Sequence, residues 1–289
     1  MRPILRASAV AALLALAPGC CAAGPGRAAA RGVAEYDGHV ADLLADAPPG
    51  FTAVAVPPFV VVGDGAPRDV RADAAEIVAW AVARLKADYF PLDPSPIVDI
   101  WIFDGEASYR HHVNVLFGGL PPSPYGYYSP CDDAIAVDIT LGGGTVVHEM
   151  VHAFVEANFP DCPTWFDEGL ASLYEHTEDD GGHIRGRINW RLPRLQEAIR
   201  SGAAPRIDEL VATSRGEFYD GQAASYAAAR YLLYYLQERG VLRRYYHRFR
   251  ETRESDPTGL AALQSVLGER DVRAIQAQWV AFVAHLPGP

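Results

Sequence analysis

The pentapeptide His148-Glu149-Met150-Val151-His152 constrains the fold of this chain more than any other stretch of its sequence. Residues four apart share one face of an α-helix, so both imidazoles can point at one ion if the stretch is helical. Apolar residues flank the motif and predict that the helix is buried on one side, with the histidines facing a crevice. The alternative is an amphipathic core helix that carries two surface histidines.

A metal site built on these two histidines needs a further ligand, because catalytic zinc usually takes three protein ligands and one water. The candidate segment is residues 165–171, with the sequence Trp-Phe-Asp-Glu-Gly-Leu-Ala. This segment is predicted to open a second helix, after the first ends at or before Pro160. Gly169 inside that helix costs about 1 kcal/mol relative to alanine. A close approach to the histidine helix would explain why the glycine is tolerated.

The length and composition of the chain describe an ordinary globular protein. Its 289 residues are enough for one large domain or for two subdomains that share a cleft. Apolar residues make up 49 % and charged residues 21 %, which excludes an intrinsically disordered chain. The net charge of −11, without a basic stripe, argues against nucleic acid as a partner.

The first twenty residues have the pattern of a signal peptide. Arg2 and Arg6 form a positive segment, and residues 9–17 form an apolar run that is too short to span a membrane permanently. The run ends at Ala17-Pro18-Gly19-Cys20, which resembles a bacterial lipobox and makes Cys20 a candidate lipid anchor. Ordinary cleavage near Ala23 is the alternative. Both predict an exported protein of the bacterial cell envelope, lipid-anchored, periplasmic or secreted.

Cys131 and Cys162 are the two cysteines outside the signal region. In an oxidising compartment they can form a disulfide that closes a loop containing the histidine helix, worth on the order of 3–4 kcal/mol in the chain-entropy model. Two free thiols are the alternative, which the sequence leaves open. Neither cysteine has the spacing of a metal ligand relative to the histidines.

The predicted elements change along the chain from mixed to helical. Strands are predicted in residues 51–62, 96–103, 125–128 and 134–139, and helices in residues 69–89 and 106–117. The acidic, glycine-containing residues 178–182 are predicted to form a solvated loop. From residue 189 onward the pattern is helical. This order predicts an α+β fold.

Two segments of the chain together resemble a known family. His148-x-x-x-His152 followed by Trp165-Phe166-x-Glu168-Gly169-Leu170-Ala171 looks like the motif pair of the gluzincin metallopeptidases, and specifically of the bacterial peptidase MA-like group. The similarity covers about residues 90–240 and includes Ser225-Tyr226-x-x-x-Arg230-Tyr231-Leu232.

The resemblance implies a zinc site with assigned roles. The zinc ligands would be His148, His152 and Glu168, with Glu149 as the general base. Family members stabilise the oxyanion with a tyrosine or histidine from the helical half of the chain. Tyr226 is the candidate for this role, Tyr219 is the second choice, and packing alone is the alternative for both.

The resemblance also implies a domain organisation. A signal peptide in residues 1–20 and a flexible tether in residues 21–35 would precede a zincin-like α/β subdomain, residues 36–185. A helical subdomain, residues 186–286, would close the cleft. Residues 134–139 would be the edge strand that pairs with a peptide or protein substrate bound as an extended strand.

These features predict an exported zinc metallopeptidase. A catalytically silent, surface-anchored binding protein of the same fold is the first alternative, but it would need the zinc ligands and not the base Glu149. A structural lipoprotein whose metal only joins two helices is the second, but a closed site would take a fourth protein ligand. The sequence leaves open the substrate, the choice between exo- and endopeptidase cleavage, and the oligomeric state.

Overall fold

The structure is a computed structural model that describes residues 31–289. The predicted signal peptide, with Cys20, therefore lies outside the described residues, and so does most of the predicted tether. By its internal contacts the described chain divides into two compact units, one ending at Asn158 and one beginning at Phe159. The division predicted at residue 186 stays a prediction. Within the described range, no helix is both long enough and apolar enough to cross a membrane.

The first unit is built on a mixed five-stranded sheet. Its strands, in chain order β1 to β5, are Thr52–Val56, Phe59–Gly63, Val98–Phe103, Gly126–Ser129 and Ala134–Asp138. The order across the sheet is β1-β2-β3-β5-β4. β2, β3 and β5 run parallel, and β1 and β4 pair antiparallel at the two edges. β2 is buried at all five positions, as expected for an apolar strand inside a parallel sheet.

The interrupted strand predicted over residues 51–62 is a hairpin of two strands. A cis peptide bond joins Pro57 to Pro58 at the turn, and Val56 pairs with Phe59 across it. Because proline cannot donate to the ladder, the two prolines mark the turn and not a defect within one strand. The prediction of an edge strand is confirmed for β1, whereas β2 lies in the interior of the sheet.

β5 corresponds to the edge strand predicted at residues 134–139, and this prediction is wrong. β5 lies between β3 and β4, and all five of its residues are buried. An apolar run such as Ala-Ile-Ala-Val is typical of an interior strand that is covered on both faces. The edge strand on this side of the sheet is β4. Its Tyr128 hydroxyl donates to Glu156 Oε2 at 2.6 Å.

The first unit has helical elements in both ranges where the sequence predicts a helix, residues 69–89 and 106–117. In chain order, α1 to α5 are Val33–Asp46, Pro67–Asp73, Trp80–Asp88, Glu106–Phe117 and Gly143–Asn158. A π-helical segment, Ala74–Ala79, joins α2 to α3. α1 occupies the last three residues of the predicted tether, and its Tyr36 packs against Val60 of β2 in a buried cluster.

The second unit is mostly helical, which together with the sheet of the first unit confirms the α+β class. Its helices α6 to α13 are Thr164–Tyr174, Leu192–Arg200, Ile207–Leu210, Arg215–Asp220, Gln222–Glu238, Leu242–Thr252, Leu260–Leu267 and Val272–His285. Every residue of α10 from 227 to 236 is buried, and the helix packs against α6, α7, α11 and α13. Burial on all sides makes α10 the core helix of this unit.

The solvated loop predicted at residues 178–182 is instead part of a β-hairpin. Its strands are β6, Thr177–Asp180, and β7, His183–Gly186, with Asp180 paired to His183. Gly181 and Gly182 at the tip have φ angles of 63° and 90°. A two-residue hairpin turn of this kind needs positive φ at both positions, which glycine adopts without steric cost.

The disulfide considered between Cys131 and Cys162 is not formed. Cys162 is a free thiol. Cys162 Sγ instead contacts the carbonyl oxygen of Pro163 at 3.7 Å. Burial raises the pKa of the Cys162 thiol well above its usual range, which keeps it protonated and weakly nucleophilic.

α6 and α10 approach each other closely at Gly169. A Cβ on this residue would lie 3.2 Å from Ala229 Cβ and 3.2 Å from Leu233 Cδ1. The sequence predicts that Gly169 lies close to the histidine helix. The nearest atoms belong instead to α10. The missing side chain at Gly169 therefore sets how near α6 lies to the core helix.

Alanine at Gly169 and at Gly38 should have opposite effects on stability. Gly38 lies inside α1, and no atom lies within 4 Å of the position that its Cβ would take. Gly38→Ala should therefore stabilise the protein by about 0.5–1 kcal/mol through helix propensity alone. Gly169→Ala gains the same propensity but crowds α10, at a typical cost of about 1–3 kcal/mol, so we expect net destabilisation.

Equilibrium denaturation of the two variants measures this difference. Stabilisation of similar size by both substitutions would contradict the close approach of α6 and α10.

Candidate metal centre

α5 carries the pentapeptide near its centre. The helix runs from Gly143 to Asn158, so His148 and His152 lie one turn apart on the same face, as predicted. Their ring centroids are 4.9 Å apart, and the rings are inclined by 75°. His148 is buried and His152 is half-buried. This burial contradicts the alternative of two surface histidines on a core helix.

Glu149 is a buried carboxylate directly after His148. It is only 2 % exposed, and consecutive residues of a helix point about 100° apart. Burying an ionisable group has a cost in free energy, so such groups are usually engaged in hydrogen bonds, ion pairs or catalysis. Glu149 is therefore a buried ionisable residue adjacent in sequence to His148 and a candidate functional residue.

Glu168 comes from α6, where the surrounding structure fixes its backbone. The next residue, Gly169, is the point of closest packing against α10. One turn later, the Ser172 hydroxyl donates to the carbonyl oxygen of Glu168. The Glu168 side chain is buried. The Glu168 side chain therefore extends from a section of α6 whose backbone is held in place.

His148, His152 and Glu168 bring their ligand atoms together. Each offers an imidazole nitrogen or a carboxylate oxygen, and these atoms all lie within 4.8 Å of one another. Within residues 31–289 no other group of three or more histidine, cysteine or acidic side chains meets this condition. The donor set, two imidazoles and a carboxylate, fits a catalytic zinc ion.

The Tyr219 hydroxyl contacts the carboxylate of this cluster. It donates to Glu168 Oε1 at 2.8 Å. Burial, followed by the negative charge of Glu168, raises the pKa of Tyr219 above its usual range. The phenol therefore keeps its proton at neutral pH and acts as the donor in this hydrogen bond. Tyr219 is thus engaged with the carboxylate that would bind the metal.

Tyr226 lies beside Tyr219, but its hydroxyl does not make the ordinary hydrogen bond with Glu168 that the Tyr219 hydroxyl makes. The two ring centroids are 6.4 Å apart. The hydroxyl of Tyr226 is buried and makes no hydrogen bond within residues 31–289. Burial, and then the charge of Glu168, raises the pKa of Tyr226 as well. Tyr226 therefore lies within the influence of the Glu168 carboxylate, but without a hydrogen bond of ordinary geometry such as the one that Tyr219 makes.

Arg191 packs against Tyr226 and is held by Glu175. The guanidinium lies 5.3 Å from the centroid of the Tyr226 ring. It also forms a two-point ion pair with Glu175, from Nη2 to Oε1 at 2.7 Å and from Nε to Oε2 at 3.2 Å. Both side chains of the pair are nearly buried. Glu175 thus fixes the guanidinium that covers one side of Tyr226.

The segment that leads to Arg191 is fastened to α10. The fully buried Arg230 donates from Nη2 to the carbonyl oxygen of Arg187. The Tyr231 hydroxyl accepts from the Asn189 backbone N–H at 3.1 Å. Burial lowers the pKa of Arg230 to about 10, so its guanidinium remains charged at neutral pH. The core helix therefore positions Tyr226 and also the chain that brings Arg191 to it.

Arg191 is part of this neighbourhood although no sequence pattern indicates it. Its partner Glu175 is 16 residues away and belongs to the end of a different element. No spacing rule connects the two residues, so only the folded chain reveals the pair.

Comparison of the chain with protein-family models and with curated proteins finds no match. The resemblance to the gluzincin metallopeptidases therefore stays a prediction from the residues of the two segments.

Proposed function

We propose that the chain is a zinc-dependent metallopeptidase in which His148, His152 and Glu168 hold the metal ion and Glu149 is the general base. The observation that carries this proposal is the convergence of the three ligand atoms within 4.8 Å. The buried carboxylate next to His148 adds to it. A binding protein or a structural metal site would not need a base at this position. The intact Glu149 therefore favours an enzyme over these two alternatives.

The chemistry divides between the metal ion and the protein. Zinc held by these residues supplies a Lewis acid that polarises a carbonyl group and lowers the pKa of a coordinated water toward about 7. Glu149 accepts a proton from the attacking water as the water oxygen bonds to the carbonyl carbon of the scissile peptide. Its carboxyl group then delivers that proton to the leaving nitrogen as the carbon–nitrogen bond breaks. Glu149 is therefore an unprotonated carboxylate again at the end of the reaction.

Tyr226 is the group we assign to the oxyanion of the tetrahedral intermediate. A donor for this role must hold a proton and must be free to form a new hydrogen bond. Tyr226 holds its proton, since its pKa is raised, and its hydroxyl makes no hydrogen bond of ordinary geometry within the described chain, although Glu168 lies near enough to interact with it. Tyr219, the second choice from sequence, already donates to Glu168. A packing role for Tyr226 is the alternative.

We propose that the substrate is a peptide or protein segment bound in extended form along β4. This strand replaces residues 134–139 as the candidate because it is the edge strand beside β5. An edge strand offers unpaired backbone N–H and C=O groups to a further strand. β4 also packs against α5, the helix that carries the histidines. Pairing with β4 would therefore place a peptide next to that helix.

We also propose export to the bacterial cell envelope, with Cys20 as a lipid anchor or with cleavage near Ala23. The signal-peptide pattern of residues 1–20 supports this proposal.

Glu149→Gln should retain zinc and lose hydrolysis. The substitution keeps the size of the side chain but removes the base, and general-base catalysis typically contributes a factor of about 10²–10⁴ in rate. Zinc content by mass spectrometry and cleavage of a broad fluorogenic peptide library measure the two properties. Glu251→Gln is the control, since Glu251 is an exposed glutamate of α11 outside the cluster and its substitution should leave both unchanged.

The outcomes separate the three hypotheses. Zinc in both proteins without any cleavage would favour the binding protein or the structural site. Absence of zinc from the unaltered chain would refute the site itself.

Tyr226→Phe should lower kcat by about 10²–10³, the usual cost of one oxyanion donor. KM and zinc content should change little, because the hydroxyl acts only as charge develops in the transition state. Tyr235→Phe, which removes another buried hydroxyl of α10, is the control. A purely packing role for Tyr226 would leave kcat within a few-fold of the unaltered chain.

A further inference from the structure

We infer that Tyr219 is a positioning residue for Glu168: its phenol holds one carboxylate oxygen so that the other is presented to the metal ion. This inference rests on the proposed function, because it assumes that Glu168 is a metal ligand. It assigns to Tyr219 a role different from the oxyanion role that the sequence suggested as its second choice.

The hydrogen bond itself gives the direction of the effect. Tyr219 donates to Glu168 Oε1 at 2.8 Å. A carboxylate has two oxygens, and a donor on one of them limits rotation of the group about its last bond. With Oε1 taken, a metal ion bound through the second oxygen finds the carboxylate already oriented. Hydrogen-bond partners of metal ligands act in this way, and their loss typically weakens metal binding about 10–100-fold.

Tyr219 is itself held firmly on the short helix α9. A capping box begins this helix, in which Ser214 accepts from the Glu217 backbone and Glu217 accepts from the Ser214 backbone. The neighbouring residue Phe218 is fully buried and anchors the helix in the core. The Arg215 guanidinium lies 5.5 Å from the Tyr219 ring centroid. Because Tyr219 is already held in place, its side chain loses little conformational freedom when it orients the carboxylate.

The carboxylate is the one part of Glu168 that the helix does not fix. Packing at Gly169 and the Ser172 hydroxyl hold the backbone of α6 at this point. Glutamate still has three side-chain torsions through which its carboxylate can move. Tyr219 meets the carboxylate at the far end of these torsions. The backbone contacts and the Tyr219 hydrogen bond therefore act on different parts of the residue.

Zinc affinity of Tyr219→Phe tests this inference without reference to peptidase activity. Competition with a chromophoric chelator gives the dissociation constant of zinc for the full chain. We expect Tyr219→Phe to bind zinc about 10–100-fold more weakly than the unaltered chain. Tyr235→Phe should stay within about twofold, because Tyr235 donates to Gln278 at 3.2 Å and not to the cluster.

A double variant separates orientation of the ligand from general loosening of the fold. Glu168→Ala removes the carboxylate and with it the acceptor of the Tyr219 hydrogen bond, so it should weaken zinc binding by itself. If Tyr219 acts through the carboxylate, adding Tyr219→Phe to Glu168→Ala should change the affinity by less than about twofold. An undiminished further loss in the double variant would show that Tyr219 acts through packing, and would overturn the inference.

The failure of the inference can be distinguished from the failure of the proposed function. Unchanged zinc affinity in Tyr219→Phe would overturn the positioning role and leave the zinc site intact. Absence of zinc binding in the unaltered chain would overturn both.

Discussion

The close packing of α6 against α10 is the constraint on which the chemistry of the second unit depends. Gly169 allows this packing, and the residue before it is the candidate ligand Glu168. On the other side of the contact, α10 carries Tyr226, four residues before Arg230 and therefore on the same face. A helix with a larger residue at 169 would move the carboxylate away from the hydroxyls of Tyr219 and Tyr226. The distance between two helices thus sets the geometry of the acidic part of the site.

Buried charges give this arrangement its rigidity. The pair of Arg191 with Glu175 is nearly excluded from water, and Arg230 is completely buried. Buried ionic groups stabilise a fold only weakly once desolvation is counted, but they disfavour alternative packings that would leave a charge unpaired. The pair also holds a guanidinium over the Tyr226 ring, 5.3 Å from its centroid.

Features that depend on local pattern were predictable from the sequence, and features that depend on long-range pairing were not. The histidine helix and the α+β class follow from periodic apolar residues and their order along the chain. The position of β5 inside the sheet depends on which strands pair, and residues 134–139 do not record it. The neighbour of Gly169 and the partner of Arg191 are likewise set by the folded chain. The two adjacent glycines Gly181 and Gly182 are typical of a hairpin turn, but the acidic residues around them favoured the prediction of a loop.

The central claim is that two imidazoles and one carboxylate hold a zinc ion. X-ray absorption spectroscopy of the zinc-loaded full chain tests it most directly, because the method counts and identifies the atoms bound to the metal. The account predicts two imidazole nitrogens and only oxygen ligands besides them, at about 2.0–2.2 Å. A sulfur ligand at about 2.3 Å, or fewer than two imidazoles, would contradict it.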